Sequence, residues 1–474
     1  ALLRTNLSAF TQKTFHTVDP GAPYLHNWHI DAISEFLMAC YTREIKRGVI
    51  NVPPRYMKSI SCSTAFPAWG LGRDPRLKFM VTSYADRLSL KLSMDTRLTM
   101  TSAWYKRLFP GTILASDQNE KGKFVTTERG QRLATTMQGS ATGEGCNFLI
   151  VDDPHNVKKA FSDKEREKDV EMFDQTFTSR LNNKKEDVIL IVMQRLHEKD
   201  LTGHVLEQGG YEQLEIPAEC ERRTLISIGN FTKVREKGEL LHPEREGPEE
   251  ITRRKRELGS YGYAAQYLQS PTPLDGGIFK RHWFPRHNAL PVKPKRIVIS
   301  CDTANKASEL NDPSAMEVYF EDETTYKLAE VVKDRLEYPD LKRTVISLWD
   351  KYFNKYKQKP TLLIEDKASG QSLIQDLKRD PRKIPIIGIL PEADKLTRAA
   401  TQSPKVEGGL VSLPENAPWL ADFEREIFLF PNSATKDQVD ALTQFLKWSD
   451  NAKKLYDYAA VIKKAGGFNK KGAW

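Results

Sequence analysis

"NVPPRYMKSISCST", residues 51–64, follows a short apolar run and precedes a stretch of helical spacing, and its reading decides the first half of the chain. A phosphate-binding loop needs three things: a strand ending at a sheet edge, a tight turn with inward N–H groups, and a helix N-terminus that adds its positive dipole end. A lysine then reaches the terminal phosphates, and a hydroxyl holds magnesium. Here "GVINV" (48–52) supplies the strand and "PPRYM" the turn, so that Pro54, Arg55, Tyr56 and Met57 would border the nucleotide. Lys58 is the cation and Ser59 the hydroxyl. The ordinary G-x-x-x-x-G-K-[ST] spacing puts glycine at positions 52 and 57, where this chain has Val52 and Met57. Taken alone, the stretch reads as a proline-punctuated turn.

Two later strands shift that balance. "FLIVDDPH" (148–155) is an apolar run ending in Asp152 and Asp153, and a carboxylate pair at the end of a buried strand is costly without a charge partner. Magnesium with a bound triphosphate is such a partner: Asp152 would hold the metal's water shell and Asp153 would orient the attacking water. A helix N-cap by one of the two is the structural alternative. "DVILIVMQRLHEKDLTG" (187–203) again ends a strand in polar groups. Gln194, Arg195 and His197 are placed there to sense a γ-phosphate, with a surface turn as the alternative.

Size and composition bound the rest. A chain of 474 residues is long enough for about two to four domains. It is 39% hydrophobic and 28% charged, with mean hydropathy −0.54. No apolar run approaches the roughly 18 residues of a membrane span, and no charged-then-apolar leader opens the sequence. Five cysteines without metal-ligand spacing read as reduced thiols. A net charge of +9 favours a polyanionic partner, nucleic acid before membrane. The basic run "ITRRKRELG" (251–259) reads as a solvated helix face.

Hydrophobic period divides the chain into two α/β blocks. In the first, apolar runs at 48–52, 77–83, 148–153, 187–194 and 211–217 alternate with helical stretches such as "ADRLSLKLSMDTRLTM", which implies a mostly parallel sheet covered on both faces. Residues 1–258 form this block. From 259 to 294 the glycines, prolines and aromatics have no clear period and read as a connector. The second block, 295–474, has strands at 296–302, 314–321, 325–334, 361–366 and 384–390, with helices near 339–356, 418–429 and 437–447. Its tail "VIKKAGGFNKKGAW" reads as loosely ordered.

In order, "NWHIDAI", "PPRYMKS", "TGEGCNFLIVDDPH" and "MQRLHEKDLTG" resemble the large terminase subunit of tailed bacteriophages, which packages and cuts viral DNA. The resemblance implies a P-loop NTPase domain whose phosphate loop is often written P-P-R-x-x-K-S, so the missing glycines match a family habit. The family often has glutamate where this chain has Asp153. The resemblance also implies an adenine-reading residue near Trp28 and His29, and an arginine finger, for which Arg55, Arg87 and Arg97 all remain open.

Cutting a phosphodiester with two metals needs carboxylates converging from separate elements. The second block supplies Asp302 at the end of "RIVISCD", Glu365 and Asp366 at the end of "TLLIED", and Asp437 and Asp440 one turn apart in "TKDQVDALTQFL". Their order follows the ribonuclease H fold. The stretch "DKLTRAATQSPKVEGGLVSLP" (394–414) is similar to one that follows the second acid in terminase nucleases. The resemblance implies magnesium or manganese on Asp302, Glu365 and Asp437, with Asp440 or Asp366 as auxiliary. It further implies ATP as cofactor, and double-stranded DNA, a portal protein and a small terminase subunit as partners. A ring of copies on the procapsid, a monomer in isolation and a place in the host cytoplasm complete the expectation. The alternative is a DNA-repair or mobile-element nuclease with a regulatory ATPase domain.

Overall fold

The structure, a computed structural model, describes residues 2–139, 143–271, 277–303, 313–367, 369–391, 393–433 and 435–450. Part of the connector (272–276) and the basic tail (461–474) lie outside the described residues. The chain separates into two compact units, Ala1–Pro273 and Leu274–Trp474.

The first unit is built on an eight-stranded sheet. Its strands are β1 (Arg47–Asn51), β2 (Lys78–Ser83), β3 (Leu114–Asn119), β4 (Lys123–Thr126), β5 (Gln131–Thr136), β6 (Phe148–Asp152), β7 (Val188–Met193) and β8 (Glu212–Glu215), in the order β3-β4-β5-β2-β6-β7-β1-β8. All pairs from β5 to β8 are parallel; only β3–β4 and β4–β5 are antiparallel. Period-2 side chains divide cleanly between the two faces. Ile50, Phe79, Val81, Phe148, Ile150, Leu190 and Val192 enter one core, while Val49, Met80, Leu149, Val151, Ile189 and Ile191 enter the other. Near-continuous apolar runs are what a sheet covered on both faces requires. A separate hairpin, β9 (Thr224–Ile228) with β10 (Phe231–Arg235), follows.

The second unit holds a seven-stranded mixed sheet of β11 (Arg286–His287), β12 (Arg296–Asp302), β13 (Ser314–Asp322), β14 (Thr325–Asp334), β15 (Thr361–Glu365), β16 (Ile386–Ile389) and β17 (Val411–Pro414). β12, β13 and β14 run antiparallel, and β15 and β16 continue parallel from β12. Three antiparallel strands extended by parallel ones make a ribonuclease H-like sheet.

The sequence reading and the structure differ in places. The aperiodic stretch after 258 begins as helix: Pro248–Gln266 runs through it, broken only at Gly259, whose φ of 67° a glycine tolerates. Strands β3, β4, β5, β9 and β10 and the helices Ser369–Lys378 and Lys395–Glu407 were not anticipated. The five cysteines are all buried and unpaired. Among the described residues no helix is long and apolar enough to cross a membrane.

Candidate functional site

In the first unit, β1 delivers the chain into Pro53 and Pro54, whose rings hold φ near −65° and start the turn. Arg55 and Met57 then take the left-handed region, at φ 71° and 67°. Met57 stands where the ordinary loop has glycine, so the loop keeps that conformation at a cost of about 1–2 kcal/mol per residue. Tyr56 offsets this: it is buried, and its hydroxyl donates to Glu246 Oε2 at 2.8 Å. Helix begins at Lys58 and widens into a π-helical turn at Ile60–Ala65 before Phe66–Arg73, a feature that recurs at functional sites. Phe66 packs edge-on against Phe79 of β2 and Phe148 of β6, which fixes this helix to the sheet.

The helix start and the ends of β6 and β7 thus bring Lys58, Ser59, Asp152, Asp153 and Gln194 together. Lys58 Nζ donates to Gln194 Oε1 at 2.5 Å and lies 3.5 Å from Asp153 Oδ2. Ser59 Oγ donates to Asp152 Oδ1 at 3.0 Å. Asp152 is fully buried, and burial, then the charge of Asp153, push its carboxyl well above the usual range. Asp152 Oδ2 and Asp153 Oδ1 are buried with no hydrogen-bond partner. Orphaned carboxylate oxygens beside a hydroxyl are hard donors suited to magnesium, and the ammonium beside them suits a phosphate. Asp153 itself sits at φ 47°, a strained backbone at the mouth of the site.

The remaining residues proposed for this site are placed as follows. Arg195 is committed to Asp200, its Nε 3.0 Å from Oδ1, and the His197 backbone N–H donates to the same carboxylate. His197 is held near pKa 4 by burial and then by Arg166. Trp28 stacks on Phe231 at 6.3 Å with Arg235 over its ring. His29 is buried against Tyr56 and His242, and burial, then His242, lower its pKa to about 3. Arg55 and Arg87 are exposed and Arg97 is half-buried. Sequence reasoning missed Glu246 and also Arg132 of β5, which is fully buried with no partner for its guanidinium. Burial lowers Arg132 to about 9, and the charge of Asp152 opposes that fall. A lone arginine in the mostly polar strand QRLATT carries no sequence signal of its own.

In the second unit, Cys301 pairs with Ile364, so Asp302 and Glu365 end adjacent strands one step further on. A helix over 437–450 crosses them. Gln444 laces it down, donating to Ser300 Oγ at 3.1 Å, Leu363 O at 3.2 Å and Cys301 O at 3.3 Å, and Ser300 Oγ donates to Ala441 O at 2.8 Å. Burial, then Asp440 and Glu365, hold the Asp302 carboxyl well above its usual range; Asp437 adds to this and Lys395 opposes it. These groups therefore share one electrostatic neighbourhood. Asp366 instead borders Gly388 beside Ile374. Asp440 takes Lys395 Nζ on Oδ2 at 2.5 Å and Arg398 on Oδ1. Among the described residues no three acidic, imidazole or thiol groups stand close enough to hold a metal as they are. Their oxygen-only chemistry suits magnesium or manganese, and an ammonium already stands among them as a cation.

The two units define a P-loop NTPase fold followed by a ribonuclease H-like nuclease fold. Residues 299–447 match the terminase RNaseH-like domain family, and over those residues the match bears out the resemblance to large terminase subunits. No curated protein matches the chain. Among solved structures, the large terminase of a thermophilic bacteriophage is similar at 10% identity over 86% of this chain and 97% of that one, with a TM-score of 0.49. The HK97 bacteriophage large terminase is similar at 10% identity over 86% and 90%, with a TM-score of 0.39. The large terminase nuclease of thermophilic phage G20c, with bound cobalt, is similar at 14% identity over 37% and 98%, with a TM-score of 0.29.

Proposed function

We propose that this chain is a viral DNA-packaging motor subunit: an ATPase that translocates double-stranded DNA into a procapsid, joined to a metal-dependent nuclease that cuts the DNA concatemer. The observation that carries the reading is the set of Lys58, Ser59, Asp152, Asp153 and Gln194, in a chain whose residues 299–447 match the terminase RNaseH-like domain.

Lys58 would bind the terminal phosphates, Ser59 and Asp152 would hold magnesium, and Asp153 would orient the attacking water. The magnesium supplies charge neutralisation on the phosphates. A terminal phosphate arriving at Lys58 competes with Gln194 and Asp153 for its three N–H donors, so Gln194 registers its presence and its loss. Tyr56, seated on Glu246, keeps the turn in shape. In the second unit Asp302, Glu365 and Asp437 would hold divalent ions, whose chemistry would be polarisation of the scissile phosphate. DNA is held mainly through its phosphates, since a motor that moves any sequence has no use for base readout. A portal protein, a small terminase subunit and further copies in a ring complete the assembly, in the host cytoplasm.

The test is magnesium-dependent ATP turnover stimulated by duplex DNA, with ATP-driven displacement of a triplex-forming strand as the translocation readout. ATP turnover without displacement would leave a regulatory ATPase and overturn the motor reading.

A further inference from the structure

The acids of the second unit are packed more closely than all of them can stay charged without a cation. Asp302 and Glu365 end neighbouring strands, Asp437 and Asp440 lie on the helix above, and Glu317 of β13 is fully buried and within electrostatic reach of Asp302 and Asp440. Buried carboxylates at this density stay ionised only with a cation among them. Two cations answer, both from the helix Lys395–Glu407. Their surroundings differ. Arg398 is 18% exposed and holds Asp440 Oδ1, whereas Lys395, on Oδ2, is 46% exposed.

We propose that Lys395 is a resident cation of this cluster: its ammonium fills the place of one divalent ion at rest, and its swing toward solvent opens that place for the metal. This rests on the nuclease reading above. Asp440 is 3% exposed and fully committed to two cations, so it acts as the seat of Lys395 and Arg398 rather than as a metal ligand at rest. Arg398 keeps Asp440 neutralised after Lys395 leaves, so the exchange exposes no bare buried charge. Lysine suits the part: a compact ammonium on a flexible four-carbon stem, where arginine is a rigid fork. The stem's root does not have to move, because Asp394 caps the helix by accepting from Thr397 N at 3.0 Å and from Thr397 Oγ1 at 2.8 Å. The signal lay in "DKLTR" (394–398), where lysine and arginine are three residues apart and so on one helix face.

The experiment is manganese binding to the full chain without DNA or nucleotide, by calorimetry and electron paramagnetic resonance. Lys395→Met and Lys395→Gln should each bind manganese about tenfold more tightly or gain an equivalent, since a positive charge beside the ion is gone. Lys395→Arg, which keeps the charge on Asp440 but on a rigid fork that does not swing clear, should bind manganese more weakly than the wild type. The gain should vanish when Asp302→Asn is added, which separates it from metal bound in the first unit. Unchanged or weaker manganese binding in Lys395→Met and Lys395→Gln overturns the proposal, and so does unchanged or tighter binding in Lys395→Arg. Should the neutral variants fail to fold, weaker manganese binding by Lys395→Arg supports the proposal and unchanged or tighter binding overturns it. A wild-type chain that neither cuts DNA nor binds manganese at Asp302 would instead overturn the nuclease reading itself.

Discussion

At the residue scale, the turn at 53–57 reaches the left-handed region without a glycine. Arg55 and Met57 occupy the left-handed region without glycine, and the Tyr56–Glu246 bond over-determines the turn between them. Lys58→Ala should therefore lower ATP turnover by about 100-fold or more while the loop stays folded, as steady-state kinetics and circular dichroism will show. His29 gives a pH prediction. It folds with a pKa of about 3 against an ordinary 6.5. Above pH 6.5 it is neutral in both states. As pH falls from there toward 3, the unfolded chain takes a proton that the buried ring refuses, so stability is lost across that window. His29→Gln should flatten the fall, measured as the difference in urea midpoints between about pH 7.5 and about pH 5. Asp152 and Asp153 were legible as charge at the end of a buried apolar strand, and Lys58 and Ser59 as polar groups following a proline turn. Glu246 and Arg132 were not, since nothing local distinguishes a glutamate that meets a tyrosine 190 residues away.

At the element scale, one side chain ties a helix to two strands. Gln444 reaches Ser300, Cys301 and Leu363 and so sets Asp437 and Asp440 over Asp302 and Glu365. Gln444→Leu leaves buried acceptors short of a donor and should cost about 1–3 kcal/mol. Thermal unfolding of the second unit should show that loss, and manganese-dependent cutting should fall while ATP turnover is unchanged. Buried strands such as β6 and β7 were legible because their apolar runs are continuous. β3 was not: it is polar, largely exposed and at a sheet edge, so it carries neither an apolar run nor alternation. The helix Pro248–Gln266 was missed past residue 258 because glycine at 259 and the aromatics that follow mask its period.

At the scale of the whole molecule, two sites in two units should fail separately. Lys58→Ala should keep manganese-dependent DNA cutting, and Asp302→Ala should stop cutting yet keep ATP turnover; a plasmid nicking assay beside a phosphate-release assay distinguishes them. Loss of both activities in either variant would contradict the two-unit account. With a net charge of +9, DNA affinity should fall linearly in log–log plots against salt and hardly differ between sequences, measured by fluorescence anisotropy. The amino-acid order by itself determined the two α/β units, the strands that bury their side chains on both faces, and the charged residues at their ends. Those follow from local period and from the cost of burying charge, both of which are readable along the chain. Only the tertiary structure decided that Lys58 meets Gln194, that Gln444 seats the last helix, and that Asp440 faces Lys395 and Arg398. Such contacts join residues tens to hundreds of positions apart, and the packing of strands and helices, not local preference, chooses among the many partners each side chain has available.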